Sequence, residues 1–190
     1  MKQKTKERIM EVAAEVFGEK GYHSTAVEEI SRRTKMSKGG VYFHFPTKQG
    51  LFFAVIDHLA NRLIKHIENE ISFEPDPLKR IDLALSKVLE ILGKRRSLAK
   101  LLLVQGYSMG NAFEKKRMDI YSRFSDLISR NLDAAIDDGM IEPLNTKIAS
   151  QLWLGGINEI LIQWLYSDID VNPKDTLPVL RRVLIRGLVD

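Results

Sequence analysis

The sequence predicts an all-α protein of about nine helices. Apolar residues recur three and four positions apart along most of the chain, and no stretch of any length alternates apolar and polar residues as a half-buried strand does. Near the N-terminus, two short helical segments are joined by a tight turn, in the order of a helix-turn-helix. Residues 72–77 contain two prolines and separate this part from a longer helical C-terminal part.

The composition is that of an ordinary globular chain, with 44% hydrophobic and 28% charged residues among 190. It contains no cysteine, which excludes disulfides and thiolate chemistry and fits a reducing cytoplasm. No signal peptide is predicted, and the most apolar stretch, 152–166, is interrupted by Asn158, Glu159 and Gln163. We therefore expect a cytoplasmic protein that does not span a membrane.

The positive charge is concentrated at the N-terminus. Residues 1–50 contain 10 Lys or Arg and 6 Asp or Glu, and therefore carry the whole net charge of +4. Residues 51–190 contain 19 of each sign. An excess of cations on the segment with the helix-turn-helix pattern is typical of a surface that binds phosphates.

The first helix is predicted over residues 5–20 and should end at Gly21, since glycine accepts the positive φ of a helix terminus. Its apolar stripe is Ile9, Val12, Ala13, Val16 and Phe17. The second helix is predicted over residues 26–34. Because alanine occupies position 26 and cannot cap that helix, we expect Thr25 or a water to do so.

The third helix is predicted over residues 38–45, with Ser37 as its N-cap and Pro46 as its stop. Two apolar residues four positions apart should face inward, Val41 and Phe45. The other side carries Lys38, Gly39, Tyr42 and Phe43. An exposed Lys, Tyr and Gly at the start of a short helix suit entry into a DNA major groove. The alternative is an aromatic cluster in the core, with Lys38 as an ordinary solvated lysine.

Residues 5–52 resemble the DNA-binding domain of the Tet repressor (TetR) family of bacterial transcription regulators. In the first two helices the matching residues are Ala14, Phe17, Gly21, Tyr22, Thr25, Val27 and Ile30. The densest match is Ser37, Lys38, Gly39, Tyr42, His44, Phe45, Lys48, Leu51 and Phe52. The resemblance implies that the third helix reads double-stranded operator DNA. The contacts it implies are at Ser37, Lys38, Gly39, Tyr42, Phe43, His44 and Lys48.

Three positions depart from the family pattern. Lys35 stands where the family usually has glycine in the turn, so a non-glycine residue is expected to take the left-handed conformation. Ala26 replaces a Ser or Thr that caps the second helix, which puts a phosphate contact there in doubt. Gly40 replaces a frequent Thr and costs about 1 kcal/mol of helix propensity.

Six helices are predicted after the turn at Pro46. Their predicted spans are 47–71, 77–92, 97–109, 111–138, 146–167 and 174–189. The first of them begins at Thr47, whose hydroxyl can cap it. It carries Lys48 in its first turn and is about 36 Å long. The resemblance implies a DNA-binding domain over residues 1–50 and a helical regulatory and dimerisation domain over residues 51–190.

The helix at 146–167 is apolar around nearly its full circumference, which predicts burial partly by a second subunit. The resemblance implies that the last two helices form a homodimer interface. The expected interface residues are Trp153, Gly156, Ile160, Trp164, Leu180 and Leu184. The alternative is a helix buried wholly in its own subunit.

The resemblance also implies a small-molecule effector site in the C-terminal part. Polar residues on apolar helices, with nearby apolar walls, are the candidates. They are Gln105, Ser108, Met109, Phe124, Asn158 and Glu159. Each has an alternative role in the core or the dimer interface. Residues 132–143 and the helix after them resemble regulators of lipid and fatty-acid metabolism within the family, which favours a hydrophobic or acyl ligand.

No catalytic, metal or cofactor site is expected. His58 and His66 are eight positions apart, the wrong spacing for one metal on adjacent helical turns, and no nucleotide-binding or nucleophile motif occurs. The resemblance thus implies a homodimeric repressor that a small hydrophobic ligand releases from a palindromic operator. Two alternatives remain: a DNA-binding dimer without a ligand, and a helical binding protein whose basic part docks an acidic partner.

Overall fold

The computed structural model describes residues 2–105, 109–167, 172–185 and 187. Within these ranges the chain is helical and contains no strand, as predicted. The helices are α1 Lys2–Ser24, α2 Val27–Thr34, α3 Lys38–His44, α4 Lys48–Ile71, α5 Pro77–Lys94, α6 Arg96–Leu103, α7 Asn111–Asp137, α8 Thr146–Tyr166 and α9 Leu177–Leu180. A 3-10 turn, Pro173–Thr176, precedes α9, and a π-helical turn, Arg181–Ile185, follows it.

The largest departures from the predicted spans are in α6 and in the last predicted helix, while the ends of other helices shift by a few residues. Helix α6 ends at Leu103 instead of continuing to Met109, because the backbone N–H groups of Val104 and Gln105 both bond to the carbonyl of Lys100 and close the helix. Glycines at 106 and 110 disfavour its continuation. Over its described residues 174–185, the predicted last helix is divided among 3-10, α and π turns, and Pro178 supplies no N–H to its hydrogen bonds. Residues 186, 188 and 189 of the predicted span lie outside the described residues.

The first compact unit comprises Met1–Arg62 and Ser97–Lys116. Its core is a layer of fully buried side chains from α1 and α4, closed by Ile30 and Val41 from α2 and α3. Phe17 and Phe52 pack edge to face with ring centroids 5.1 Å apart. Burying one side chain of this size contributes about 3 kcal/mol at most.

Helix α1 leaves helical geometry at Gly21, where φ is 80° and ψ is 164°. The predicted end of the first helix at this glycine is therefore confirmed, although one further turn extends to Ser24. The ring of Tyr22 in that turn lies 4.9 Å from the ring of Phe52. The extra turn thus packs on the same aromatic core as the helix before it.

The second compact unit comprises Leu63–Arg96 and Arg117–Asp190. One buried cluster of its core is Ile81, Leu132, Ala135, Ile141 and Trp153. Helix α5 is capped by Asp76, whose carboxylate accepts the N–H groups of Leu78 and Lys79 at 2.9 and 3.1 Å. These units follow internal contacts, so the functional boundary predicted between residues 50 and 51 stays a prediction.

Candidate nucleic-acid interface

The turn between α2 and α3 is built on a left-handed lysine. Lys35 has φ 55° and ψ 36°, which confirms the conformation expected where the family usually has glycine. The N–H of Lys35 bonds to the carbonyl of Arg32, and the N–H of Met36 bonds to the carbonyl of Ser31 at 3.0 Å. These two bonds form a Schellman motif, so the turn satisfies the last carbonyls of α2 at the expense of a strained residue.

Helix α3 has one buried and one open side. Ser37 caps it as predicted, because its Oγ accepts the N–H of Gly40 at 3.0 Å. Val41 and Phe45 point inward and are 0% and 4% exposed. Outward lie Lys38, Gly39 and Phe43, the last with 74% of its surface exposed. Tyr42 and His44 are half-buried at the edges of this open side.

Because residue 39 is glycine, no side chain covers the backbone at this position in the first turn of α3. A Cβ at that position would meet only the Ser37 Oγ, at 4.0 Å. At Gly40, by contrast, a Cβ would lie 3.3 Å from both Met36 Cε and Ser37 Oγ. The helix backbone is therefore approachable at Gly39, while Gly40 keeps space for the side chains that close the turn.

Lys38 is held by side chains of the same surface. Its Nζ lies 2.5 Å from Glu28 Oε1 on α2 and 5.9 Å from the centroid of the Tyr42 ring. The hydrogen bond from Lys38 lowers the pKa of Glu28, and the same bond raises the pKa of Lys38. Both groups are therefore ionised at neutral pH, and Lys38 is a paired cation.

Lys48 in the first turn of α4 points back toward α1. Its Nζ donates to the carbonyl oxygen of His23 at 3.1 Å and lies 4.6 Å from the centroid of the Tyr22 ring. Partial burial lowers the pKa of Lys48. The predicted cap of α4 is confirmed beside it, because Thr47 Oγ1 accepts the N–H of Gly50 at 2.9 Å.

Ion pairs brace α2 against α1. Arg33 donates to both carboxylate oxygens of Glu19, at 3.0 and 2.6 Å, and to Glu29 at 3.0 Å. Lys20 pairs with Glu29 at 2.5 Å. The hydrogen bond from Arg33 lowers the pKa of Glu19, and that from Lys20 lowers the pKa of Glu29. Together with Phe17 and Phe52 beneath, this brace fixes the helix that precedes the turn.

Thr25 does not cap α2 as expected. The N-cap residue is Ala26, which makes no side-chain cap, and the Thr25 hydroxyl donates to the carbonyl of Gly21 at 2.7 Å instead. Thr25 is 2% exposed, so its hydroxyl serves the kinked end of α1 rather than the start of α2. The kink frees a carbonyl within reach, and a buried hydroxyl needs such a partner.

The predicted effector residues are described in two separate units. Gln105 and Met109 belong to the first unit, Phe124, Asn158 and Glu159 belong to the second, and Ser108 lies outside the described residues. The side-chain oxygens of Gln105 and Asn158 are buried and have no hydrogen-bond partner among the described residues. The same holds for His58 Nε2 on α4, which sequence reasoning missed. Glu159 is exposed and accepts a hydrogen bond from Gln163 at 2.8 Å.

The predicted interface residues divide between the core of the second unit and its surface. Trp153 and Leu180 are 6% and 7% exposed within their own chain. Ile160, Trp164 and Leu184 are half-buried, and Gly156 is exposed. The open face of α8 also carries exposed apolar residues that sequence reasoning missed, Ile148, Leu152 and Tyr166. Val179 in α9 and Val183 in the π-helical turn after it are exposed as well.

Trp164 has a partner in its own unit. The guanidinium of Arg96 lies 5.1 Å from the centroid of the Trp164 ring. The same guanidinium donates to the carbonyl oxygens of Trp164, Leu165 and Ser167 at 3.2, 3.0 and 3.0 Å. Arg96 thus satisfies carbonyl groups at the C-terminal end of α8, where a cation also interacts favourably with the helix dipole.

Neither a metal centre nor a membrane span is found in the described ranges. No group of three or more metal-ligating side chains is gathered in them. None of the described helices combines the length and the apolar character needed to cross a bilayer.

Comparison with known proteins places this site in context. The family model described as bacterial regulatory proteins, tetR family, matches residues 9–55, which cover α2, α3 and most of α1. The fatty acid metabolism regulator protein of Bacillus subtilis (strain 168) is 25% identical over 171 residues, with 88% of each chain covered. The transcriptional regulator AcrR of Shigella flexneri is 24% identical and covers 94% of this chain and 88% of its own.

Solved structures share the fold along nearly the whole chain. The fatty acid degradation regulator FadR of Bacillus halodurans aligns with a TM-score of 0.85 and 18% identity, covering 97% of this chain and 96% of its own. FadR of Bacillus subtilis, solved in complex with stearoyl-CoA, aligns with a TM-score of 0.84 and 21% identity, covering 95% and 97%. The helical fold of this chain is thus shared with solved structures of bacterial regulators.

Proposed function

Because this chain belongs to the tetR family of bacterial regulatory proteins, we propose that it is a homodimeric repressor that leaves its operator when it binds a small hydrophobic ligand. Membership makes it a DNA-binding transcription regulator. Its action as a repressor, its dimer, its operator and its ligand are what we propose. The observation that carries the proposal is the open side of α3, on which Lys38, Gly39 and Phe43 are exposed above a buried Val41 and Phe45.

The open side of α3 has the chemistry of a base-reading surface. The Lys38 ammonium can donate to guanine O6 and N7, and the exposed Phe43 ring can contact a thymine methyl group. Gly39 lets the helix start approach the base edges closely. We propose that these three residues, with Ser37, Tyr42 and His44, contact the major groove. Lys48 would contact a phosphate after its ammonium leaves the carbonyl of His23.

Selection from a randomised duplex library tests this reading. The wild-type protein should enrich one palindromic sequence. The variant Phe43→Ala should bind that sequence at least about fivefold more weakly, since a lost base contact costs about 1–3 kcal/mol. The matched control is Phe73→Ala, which removes a ring that is 93% exposed in the loop after α4. If the double variant Tyr42→Ala, Lys48→Ala kept full operator affinity, the assigned reading face would be wrong.

The open face of α8 supports the proposed homodimer. Ile148, Leu152 and Tyr166 are 55%, 70% and 67% exposed, and a Cβ added at Gly155 or Gly156 between them would meet nothing within 4 Å. Large exposed apolar residues along one helix face are typical of a protein interface, and glycines allow a second helix to approach closely. We propose that the second copy of the chain covers this face.

Leu152→Glu tests the dimer. A carboxylate at the centre of the interface should convert the protein to a monomer in sedimentation velocity and abolish tight binding to the palindrome. Phe73→Glu, an equally apolar-to-acidic change on a loop, should leave the dimer intact. A wild-type chain that sediments as a monomer at micromolar concentration would refute the dimer. Binding to a palindrome requires the dimer, because the two half-sites lie about 34 Å apart and each copy of α3 reads one of them.

The ligand proposal is supported by an unpaired polar atom in the second unit and by the relatives. The side-chain oxygen of Asn158 is buried and has no partner among the described residues, and a buried acceptor without a donor costs about 1–3 kcal/mol. A bound ligand that supplies a donor would recover this energy. The Bacillus subtilis FadR structure contains stearoyl-CoA, and we propose that this chain also takes a long-chain acyl thioester.

Fluorescence anisotropy of labelled operator DNA tests the ligand. Stearoyl-CoA should release the DNA, whereas acetyl-CoA and free coenzyme A, which lack the long chain, should not. Asn158→Leu removes one unpaired acceptor at similar volume and should weaken release without weakening operator binding in the absence of ligand. Retention of the operator at saturating stearoyl-CoA would exclude this ligand class.

A further inference from the structure

Glu28 is an acidic residue on the same surface as a base-reading cation. It lies in the first turn of α2, and its side chain is 59% exposed, similar to the 54% of Lys38. Glu28 Oε1 is 2.5 Å from Lys38 Nζ. The brace between α1 and α2 uses other acidic residues, Glu19 and Glu29, so stability of that brace does not require Glu28.

We propose that Glu28 is a specificity-determining positioning residue, which withholds Lys38 from the phosphates of unrelated DNA and holds it for a guanine. This inference rests on the proposed DNA-binding role of α3. It assigns Glu28 no contact with DNA of its own. Its effect passes through the Lys38 ammonium, whose position it fixes beside the Tyr42 ring.

The donor geometry of an ammonium group distinguishes the two targets. An ammonium carries three N–H donors. Lys38 can therefore keep one bond to Glu28 and direct the others to O6 and N7 of a guanine, which is neutral. A phosphate on the same ammonium would bring its negative charge within a few ångströms of the Glu28 carboxylate, and like charges at that distance repel. The ion pair of Lys38 and Glu28 thus favours a neutral hydrogen-bond acceptor over an anionic one.

The pairing also changes the counterion balance of binding. A lysine that neutralises a phosphate releases a counterion from DNA and adds about 0.9 to the slope of log K against log salt. Lys38, already neutralised by Glu28, contributes little to that slope. The hydrogen bond between them lowers the pKa of Glu28, which keeps the carboxylate ionised at the pH of a binding assay. Freeing Lys38 should therefore add one non-specific phosphate contact.

A double-mutant cycle tests the inference. Binding to the selected operator and to a random duplex is measured over a salt series for the wild type, Glu28→Gln, Lys38→Gln and the double variant. Glu28→Gln should raise affinity for the random duplex about threefold or more and steepen its salt slope by about 1. Operator affinity should change less, so the specificity ratio falls. In the Lys38→Gln background, Glu28→Gln should change neither affinity nor slope.

A control variant tests whether the effect is specific to Glu28, and thermal melting tests whether Glu28→Gln is folded. Glu11→Gln removes an exposed carboxylate that pairs with Arg62 at 3.4 Å, about 21 Å along α4 from Lys48, and should leave the slope unchanged. Melting curves should show that Glu28→Gln is folded. If Glu28→Gln raised random-duplex affinity equally in the Lys38→Gln background, direct repulsion by the carboxylate would explain it and the inference would be overturned.

The remaining outcomes separate the two proposals. A selected operator together with an unchanged Glu28→Gln slope would overturn the role of Glu28 alone. A wild-type protein that selects no sequence would overturn the proposed function, and the role of Glu28 with it. In the supporting case, substituting the guanine of the half-site should cost the wild type more than it costs Glu28→Gln.

Discussion

Replacing Lys35 by glycine should stabilise the protein. Lys35 has φ 55° and ψ 36° in the turn between α2 and α3, a left-handed conformation that costs a residue with a Cβ about 1–2 kcal/mol. Glycine removes that strain. It also gives the unfolded chain more freedom, which costs about 0.4–1 kcal/mol. The net gain is therefore about 1 kcal/mol, or about 2–4 °C in Tm for a chain of this length.

The chain supplies its own reference for this substitution. Helix α7 ends in the same Schellman arrangement, with Met140 N–H bonding to the Ala135 carbonyl at 2.8 Å and a glycine, Gly139, at φ 67°. A Cβ at Gly139 would meet nothing within 4 Å, so Gly139→Ala introduces backbone strain without a clash. It should destabilise the protein by about 1 kcal/mol, the reverse of the effect at Lys35.

The assay is thermal and urea unfolding of Lys35→Gly, Lys35→Ala and Gly139→Ala beside the wild type. Lys35→Ala removes the charge and the long side chain but keeps the left-handed strain, so it should gain little. If Lys35→Ala matched Lys35→Gly, the gain would come from the lysine side chain and the argument from strain would be refuted. Equal midpoints for Gly139→Ala and the wild type would refute it independently.

Three further predictions concern the N-cap of α3, the arginine at the end of α8, and the ion pairs between α1 and α2. Ser37→Ala removes the cap that accepts the Gly40 N–H, and should cost about 1 kcal/mol in urea unfolding while weakening operator binding through a frayed α3. Arg96→Ala removes the donor to three carbonyls at the end of α8 and should lower Tm by a few degrees, which Arg96→Lys should recover only in part because Lys lacks the planar fork. Because Arg33 and Lys20 hold the pKa values of Glu19 and Glu29 below the ordinary 4.5, the stability they contribute is complete above that pH and is lost as the pH falls below it. Tm measured against pH should therefore fall less steeply on acidification in the variant Glu19→Gln, Glu29→Gln than in the wild type, and parallel curves would contradict this.

Local rules predicted much of the helix-turn-helix. The spacing of Val41 and Phe45 chose the buried side of α3, and Ser37 and Thr47 were recognisable caps because their hydroxyls stand just before helices. The left-handed lysine at 35 was expected from the resemblance, because the TetR family usually has glycine at this position of the turn. These features depend on residues at most a few positions apart, which is the range over which sequence patterns determine geometry.

Contacts between elements were beyond such rules. Glu28 and Lys38 are ten residues apart and meet only because the turn folds α3 back toward α2. The ammonium of Lys48 donates to a carbonyl oxygen 25 residues earlier in the chain. The Thr25 hydroxyl donates to the carbonyl oxygen of Gly21, where α1 is kinked. Each contact depends on a tertiary position that no periodicity encodes.

Helix α8 shows a different limit of sequence reasoning. Apolar residues surround it almost completely, so their spacing does not choose which face meets the core of its own chain. In the structure Trp153 turns inward and Leu152, its neighbour, turns outward with 70% of its surface exposed. The apolar pattern therefore predicted burial, while the choice of face depended on packing against α5 and α7 through Ile81 and Leu132.

The outward side of α8 has a consequence for the abundance of the protein. If a second copy must cover Leu152 and its neighbours, folding and pairing share one equilibrium, and the melting temperature rises with protein concentration by mass action. A cell that makes few copies would then hold a larger fraction as unpaired chains, open to proteolysis and unable to occupy both half-sites. If the chain is the proposed repressor, the gene it controls would then respond to the amount of regulator as well as to a ligand.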